Sequence, residues 1–361
     1  MKFLLVLPTD RLGGAERVAM NLVRLLAKNE HHIIYIHFLS LDKSLSWDEF
    51  NNFSNVNITY SYSSSVKFGI LSFLNVAREI EDSIDYIYST HAHVNILLCT
   101  LRRIGFLKCK KLILRESSIL STRYSGFKKR LIDIAYLPYG NQDLLICQTN
   151  LMREKIIEHR GLRISKNSIV IPNPLDFEKI NTNLKFSNNI QHPSYFNVVM
   201  VGRLIEIKNH KLVLESLSNI KMNINFIVVG EGPLRNDLED LANHCAKNIK
   251  VDFVGAVSNP YKYMKCADLG IISSFSEGFP NVLIEMMASG TKDIIITPCT
   301  GDLNLIPNIT VTEGFSVYEM EQIITNKVNN PLDNSNVYKN YSLSRDVKSY
   351  WDCIKDAMEI K

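Results

Sequence analysis

Residues 273–290 read SSFSEGFPNVLIEMMASG and follow the apolar run Leu269-Gly270-Ile271-Ile272. The run predicts a buried strand ending at Ser273-Ser274. The turn after it carries glycine and proline, and Asn281 opens a short apolar helix, Val282 to Ala288, stopped by Gly290. Two glutamates bracket the turn: Glu277 stands within it and Glu285 one turn into the helix. The first N–H groups of such a helix lack intrahelical partners and carry partial positive charge, which suits a phosphate. Taken alone, the stretch reads slightly better as an ordinary strand-loop-helix unit with two solvated acids. The rest of the chain changes that balance.

Outward from this point the same alternation repeats. In the same half, strands are expected at Phe196–Val201, Asn225–Val229, Lys250–Val254 and Ile294–Thr297, with helices at His210–Leu217, Leu234–Ala246 and Pro260–Lys265. The first half gives strands at Phe3–Pro8, Ile33–Leu39, Tyr86–Ser89, Lys111–Leu114, Leu144–Gln148 and Ile169–Pro172, and an edge strand at Val56–Tyr60. Helices are expected between them at Ala15–Lys28, Ile70–Ile80, His93–Arg103, Lys128–Tyr136 and Asn150–His159. Strands separated by helices imply right-handed βαβ units and a parallel sheet. Residues 181–194, with four Asn, His192-Pro193 and no apolar periodicity, are the linker of choice. The expected organisation is α/β: one domain over 1–183, another over 194–340, and a last amphipathic helix within 341–361 that packs back on the first.

A chain of 361 residues suits two domains better than one core. Hydrophobic content of 46% and charged content of 22% describe a globular protein. Seven scattered cysteines form no C-x-x-C pair, which argues for reduced thiols in the cytoplasm and against a disulfide frame or zinc site. MKFLLVLPTD reads as a first strand rather than a signal segment. No apolar run approaches the ~20 residues that span a bilayer. Net charge is +4, yet ten of the residues from Arg102 to Arg130 are basic against one acid, Glu116. Phe106, Tyr124 and Phe127 are interleaved with them. Such a stretch suits an anionic membrane surface, or is simply a solvated basic face; no nucleic-acid motif accompanies it.

Three strand-to-helix loops of the second half sit where open α/β sheets bind ligands. They are Gly202–Lys208 with Arg203 and Lys208, Gly230-Glu231-Gly232-Pro233, and Glu277–Asn281. Two cations and a helix start suit a diphosphate, and two carboxylates can accept hydroxyl hydrogens from sugars. Each loop alone is commonplace; the serial combination is not.

That combination resembles the family-four retaining glycosyltransferases, whose fold is glycosyltransferase-B: two Rossmann-like doubly wound domains facing across a cleft. The resemblance rests on VGRLIEIKNH (201–210), VVGEGPLRNDL (228–238), VDFVGAVSNPYKYMKCADLGIISS (251–274) and the glutamate pair of SEGFPNVLIE. LGGAERVAMNL (12–22), STHAHVN (89–95), LRESS (114–118) and IPNPLD (171–176) are similar to first-half segments of that family. The resemblance implies that Arg203 and Lys208 neutralise the departing diphosphate, that Glu277 holds hydroxyls of the transferred sugar and that Glu285 binds the ribose. Backbone N–H groups from Gly278, Phe279, Asn281, Val282 and Leu283 would add donors. Gly13 and Gly14 would let the backbone approach the donor phosphates and acceptor, where a Cβ would obstruct. His93 is a candidate beside the transferred sugar, with His91 as the other choice, and either is equally a structural histidine at a strand end. Arg115 and Glu116 would line the acceptor side, or simply be solvated.

The chain departs from the family pattern after Gly290, where TKDIIITPCTGDLNLIP (291–307) holds a single Gly301 and Asp302. With no Asp-x-Asp motif, transfer without metal or cofactor is expected. The expected activity is transfer of a hexose or N-acetylhexosamine from a UDP-sugar to a glycan, lipid-linked, in surface polysaccharide synthesis at the cytoplasmic face of a membrane. A nucleotide-sugar epimerase and a catalytically silent sugar-nucleotide-binding subunit are the alternatives on the same scaffold.

Overall fold

The computed structural model describes residues 1–79, 84–118, 126–161, 167–185 and 192–359. The chain divides into two compact units, Met1–Pro174 together with Val347–Lys361, and Leu175–Asp346.

The first unit is built on seven parallel strands: β1 Lys2–Leu7, β2 Ile33–Phe38, β3 Val56–Tyr60, β4 Tyr86–Ser89, β5 Lys111–Arg115, β6 Leu144–Cys147 and β7 Ser168–Val170. Helices α1 Gly14–Ala27, α2 Val66–Glu79, α3 Ala92–Arg103, α4 Gly126–Ala135 and α5 Asn150–Arg160 alternate with them. The sheet order is β3-β2-β1-β4-β5-β6-β7, so the direction of winding reverses between β1 and β4. β1 is apolar on both faces because helices cover both. Phe3, Leu5 and Leu7 pack with α1 on one side, while Leu4 and Val6 pack with Val94, Leu98 and Met152 on the other.

The second unit carries α6 Phe177–Lys185, β8 Phe196–Val201, α7 His210–Leu217, β9 Ile224–Val229, α8 Arg235–Ala242, β10 Ile249–Gly255, α9 Tyr261–Lys265, β11 Leu269–Ile272, α10 Asn281–Ser289, β12 Asp293–Ile296, β13 Thr310–Val311, α11 Val317–Asn329 and α12 Ser335–Leu343. Its parallel sheet runs β10-β9-β8-β11-β12-β13, and the reversal falls between β8 and β11. Val199, Ile227 and Ile272 pack with α10 and α12; Val198, Phe226 and Ile271 pack with α7 and α11. The chain then returns to the first unit as α13, Val347–Ala357, whose Tyr350, Trp351 and Ile354 join the core beside α1.

The architecture is the α/β pair expected, with different edges. The boundary lies at Pro174, not at 183, and Leu175 to Lys185 belongs to the second unit. The segment expected as a linker begins inside α6, whose Ile180 is buried; residues 186–191 lie outside the described part. Nothing in the sequence reading anticipated α6, β13, α11 or α12. β13 has only two residues, too few for periodicity. In α11 the core face is Met320, Ile324 and Lys327, the last a cation that turns inward because Asp293 Oδ2 lies 2.6 Å from its Nζ.

Candidate active site

In the second unit, β8 and β11 lie side by side and their connections diverge, which is the point where open α/β sheets bind ligands. The two loops leaving these strands are laced together. Ser273 donates to the carbonyls of Lys208 (3.0 Å) and Asn209 (2.8 Å), and the Phe275 N–H to Ile207 O (2.8 Å). Over this lacing, Lys208 Nζ meets Glu277 Oε1 at 2.6 Å. Ser274 donates to the same oxygen at 2.8 Å, and the Glu277 N–H to Cys299 O at 2.7 Å. Glu277 Oε2 has no hydrogen-bond partner among the described residues. Arg203, on the same β8 loop, is exposed and makes no ion pair among them. Two of the expected residues, Lys208 and Glu277, are thus in direct contact, and an always-charged guanidinium stands on the same loop.

The Gly230–Pro233 loop has a different task from the one its glycines suggest. A Cβ at Gly230, where φ is +153°, would fall 1.8 Å from Gly202 O, and one at Gly232 would fall 2.3 Å from Leu204 O. The Leu204 N–H donates to Glu231 O and the Leu234 N–H to Leu204 O, at 2.9 and 3.1 Å. These glycines let two backbones touch, and the contact fixes the loop that carries Arg203.

At the start of α10 several side chains turn inward while Asn281 and Val282 stay half-buried. Phe279, Leu283 and Glu285 are all buried. Thr300 Oγ1 holds Gly278 O at 2.7 Å. The Leu283 N–H already donates to Pro280 O at 3.0 Å, so Leu283 is not the free donor expected; Gly278, Phe279, Asn281 and Val282 hold the remaining expected positions. Glu285, taken on its own as a solvated acid, is 6% exposed.

The first unit has its own reversal, between β1 and β4, and its loops meet there too. His91 Nε2 lies 3.1 Å from Glu16 Oε1, Thr90 Oγ1 2.9 Å from His91 Nδ1, and the Gly13 N–H donates to Glu16 Oε2 at 3.2 Å. Burial on its own raises the Glu16 pKa, but the interactions with His91 and the backbone N–H groups of Glu16 and Gly13 together leave the carboxyl below its ordinary value. His93 is exposed, its ring 5.8 Å from that of His91. Partial desolvation and then His91 lower its pKa to about 4, so the ring is neutral at pH 7. Gly13 and Gly14 are exposed, but a Cβ on Gly13 would lie 2.6 Å from Glu16 Oε2. The neighbour that a Cβ at 13 would meet is therefore this carboxylate. Glu16 was missed in the sequence, although an acid three residues after an N-cap is placed to accept from the N-cap N–H, as Glu16 does from Gly13.

Residues 181–318 match the family model described as glycosyl transferases group 1. An N-acetylgalactosamine-N,N'-diacetylbacillosaminyl-diphospho-undecaprenol 4-alpha-N-acetylgalactosaminyltransferase of Campylobacter jejuni is 27% identical over 76% of this chain and 75% of its own length. The match to the group 1 glycosyl transferases thus falls within the second unit. An uncharacterized glycosyltransferase of Methanocaldococcus jannaschii is 25% identical over 66% of this chain, which spans 62% of that protein. In fold, the chain is similar to HepE of Anabaena, solved with UDP and glucose: TM-score 0.79 at 16% identity, covering 99% of each chain. The fold is that of glycosyltransferase-B.

Arg115 and Glu116 are not solvated; each is 1% exposed. Arg115 bonds Asn173 Oδ1, and Glu116 accepts from the Tyr139 hydroxyl and, at 3.3 Å, from Asn95 Nδ2. Both are buried among side chains of the first unit. The basic stretch also changes character. Arg102 pairs with Asp143 (2.5 Å) and Lys110 with Asp85 (2.6 Å), while Arg123 and Tyr124 lie outside the described residues. Exposed Leu131, Ile134 and Leu137 stand beside exposed Arg103 and Arg130. No helix among the described residues is long and apolar enough to cross a membrane.

Proposed function

We propose that the protein is a retaining, metal-independent glycosyltransferase that moves a hexose or N-acetylhexosamine from a UDP-sugar to a lipid-linked glycan in surface polysaccharide synthesis. The Lys208–Glu277 contact at the second unit's winding reversal carries this reading. A departing diphosphate gathers charge as the sugar becomes oxocarbenium-like, and fixed cations in place beforehand stabilise that change. Lys208 and Arg203 supply them, and the start of α10 adds backbone donors. Glu277 exchanges its hold on Lys208 for the sugar's hydroxyls, for which its second oxygen is open. UDP as the nucleotude's form is supported by HepE, solved with UDP, and a lipid-linked acceptor by the Campylobacter relative, whose name specifies a diphospho-undecaprenol substrate.

Contact with the anionic cytoplasmic face of a membrane is part of the same reading. Apolar Leu131 and Ile134 with Arg130 on α4, and Leu137 just beyond it, support it, each well-placed cation adding about 1 kcal/mol. Cosedimentation with anionic vesicles that is lost in Leu131→Asp/Ile134→Asp tests it; retained binding removes it.

The reaction is tested with purified protein and a panel of UDP-, GDP- and ADP-sugars without added metal. A native-state ligand must raise the melting temperature. One nucleotide class is expected to do so, and to lose its effect in Arg203→Ala. No shift and no turnover with any donor would favour the silent-subunit alternative.

A further inference from the structure

Glu16 is a buried acid whose two oxygens are both engaged by exposed or half-buried groups. One holds the N–H of Gly13 at 3.2 Å, the other the His91 ring at 3.1 Å, and side-chain exposure is 9% for Glu16 against 19% for His91. Holding a helix start needs only a capping side chain. Burying a carboxylate costs free energy unless it is paired, so a capping role alone does not account for an imidazole brought from the β4 end, 75 positions away in sequence. The glycine turn and His91 leave β1 and β4, the two strands at the reversal, where ligands of such sheets bind.

Resting on the transferase reading above, we propose that Glu16 is a positioning residue for the transfer reaction: its carboxylate holds the Gly13–Gly14 turn and the His91 ring in one fixed arrangement on which turnover depends. Gly13 is bare, on this account, to admit the carboxylate rather than a substrate.

The test uses the full chain with the donor that shifts its melting temperature. Glu16→Ala is expected to lower kcat at least 100-fold with KM within about threefold, and Glu16→Gln, which can still bond both partners, to recover tenfold or more. Gly13→Ala is expected to lower kcat on its own yet add little in the Glu16→Ala background, because the carboxylate it collides with is gone. Wild-type kcat in Glu16→Ala, or equal losses from Gly13→Ala in both backgrounds, overturns the proposal while leaving the transferase reading intact. A fall in kcat matched by an equal loss of folded protein also overturns it. Should the wild type turn over no donor and Lys208→Ala leave nucleotide binding unchanged, the transferase reading fails and this proposal falls with it.

Discussion

Each unit places an acid and a base across its winding reversal, but the two pairs are bound differently. In the second unit Lys208 has one charged partner, Glu277, and that glutamate keeps an oxygen without a hydrogen-bond partner among the described residues. In the first, Glu16 spends both oxygens and His91 both nitrogens, on Gly13, on each other and on Thr90. A carboxylate with a whole oxygen open can take up a ligand's hydroxyl, whereas one engaged at both oxygens is better suited to hold its surroundings still. The same topology therefore yields an exchangeable site in one unit and a scaffold in the other.

The largest effect should come from the exchangeable side. Lys208→Ala is expected to lower turnover about 10²- to 10³-fold while the melting temperature stays within a few degrees. Steady-state kinetics beside a thermal melt checks this, and near-normal turnover would break the contrast at its root. Arg203, exposed and without an ion pair among the described residues, should cost about tenfold when replaced by Ala, read as kcat/KM.

One substitution made in both units sharpens the comparison. Gly230→Ala drives a Cβ against the Gly202 carbonyl at positive φ and should cost about 3 kcal/mol by urea unfolding. Gly13→Ala meets only the movable end of Glu16 and should cost about 1 kcal/mol or less. Equal losses would mean that both loops are backbone-locked.

The two units also differ in pH dependence. His37 in the first unit and His210 in the second are both buried, and burial lowers each pKa to about 4. The unfolded chain binds these protons near pH 6.5, so stability is full above that value and is lost as pH falls from 6.5 toward 4. Each should cost about 2 kcal/mol at pH 5. Neither ring nitrogen of His210 has a hydrogen-bond partner among the described residues, whereas His37 Nδ1 lies 2.9 Å from Thr59 Oγ1. His210→Leu should therefore flatten the second unit's share of the pH 5–7 loss in urea melts, and an unchanged slope would place that loss elsewhere.

Much of the fold could be read from local pattern because both faces of each sheet are covered. Apolar runs such as Phe3–Leu7 and Phe226–Val229 declare buried strands without tertiary knowledge. The helix Val317–Asn329 could not be read this way, since Lys327 faces inward only because Asp293 waits there. The site divides along the same line. Lys208 and Glu277 follow from loops placed after strands, so position in sequence suffices to suspect them. Glu16 depends on His91, and Arg115 and Glu116 on Asn173 and Tyr139, partners supplied by distant segments. Charge in a string of letters suggests solvent; only the folded neighbours show that these charges are inside.

Leu175 and Asp346 form an isolated parallel bridge, and the Leu175 N–H donates to Arg345 O at 2.6 Å, so the second unit begins and ends at one place. That bears on the order of events at the ribosome. Residues 175–346 form a closed segment that can fold as soon as it emerges, while the first unit lacks Tyr350, Trp351 and Ile354 until the last helix is made. The half synthesised first is thus the half finished last. A nascent chain stalled short of Val347 should hold a protease-resistant second unit beside a first unit that is still open to cleavage.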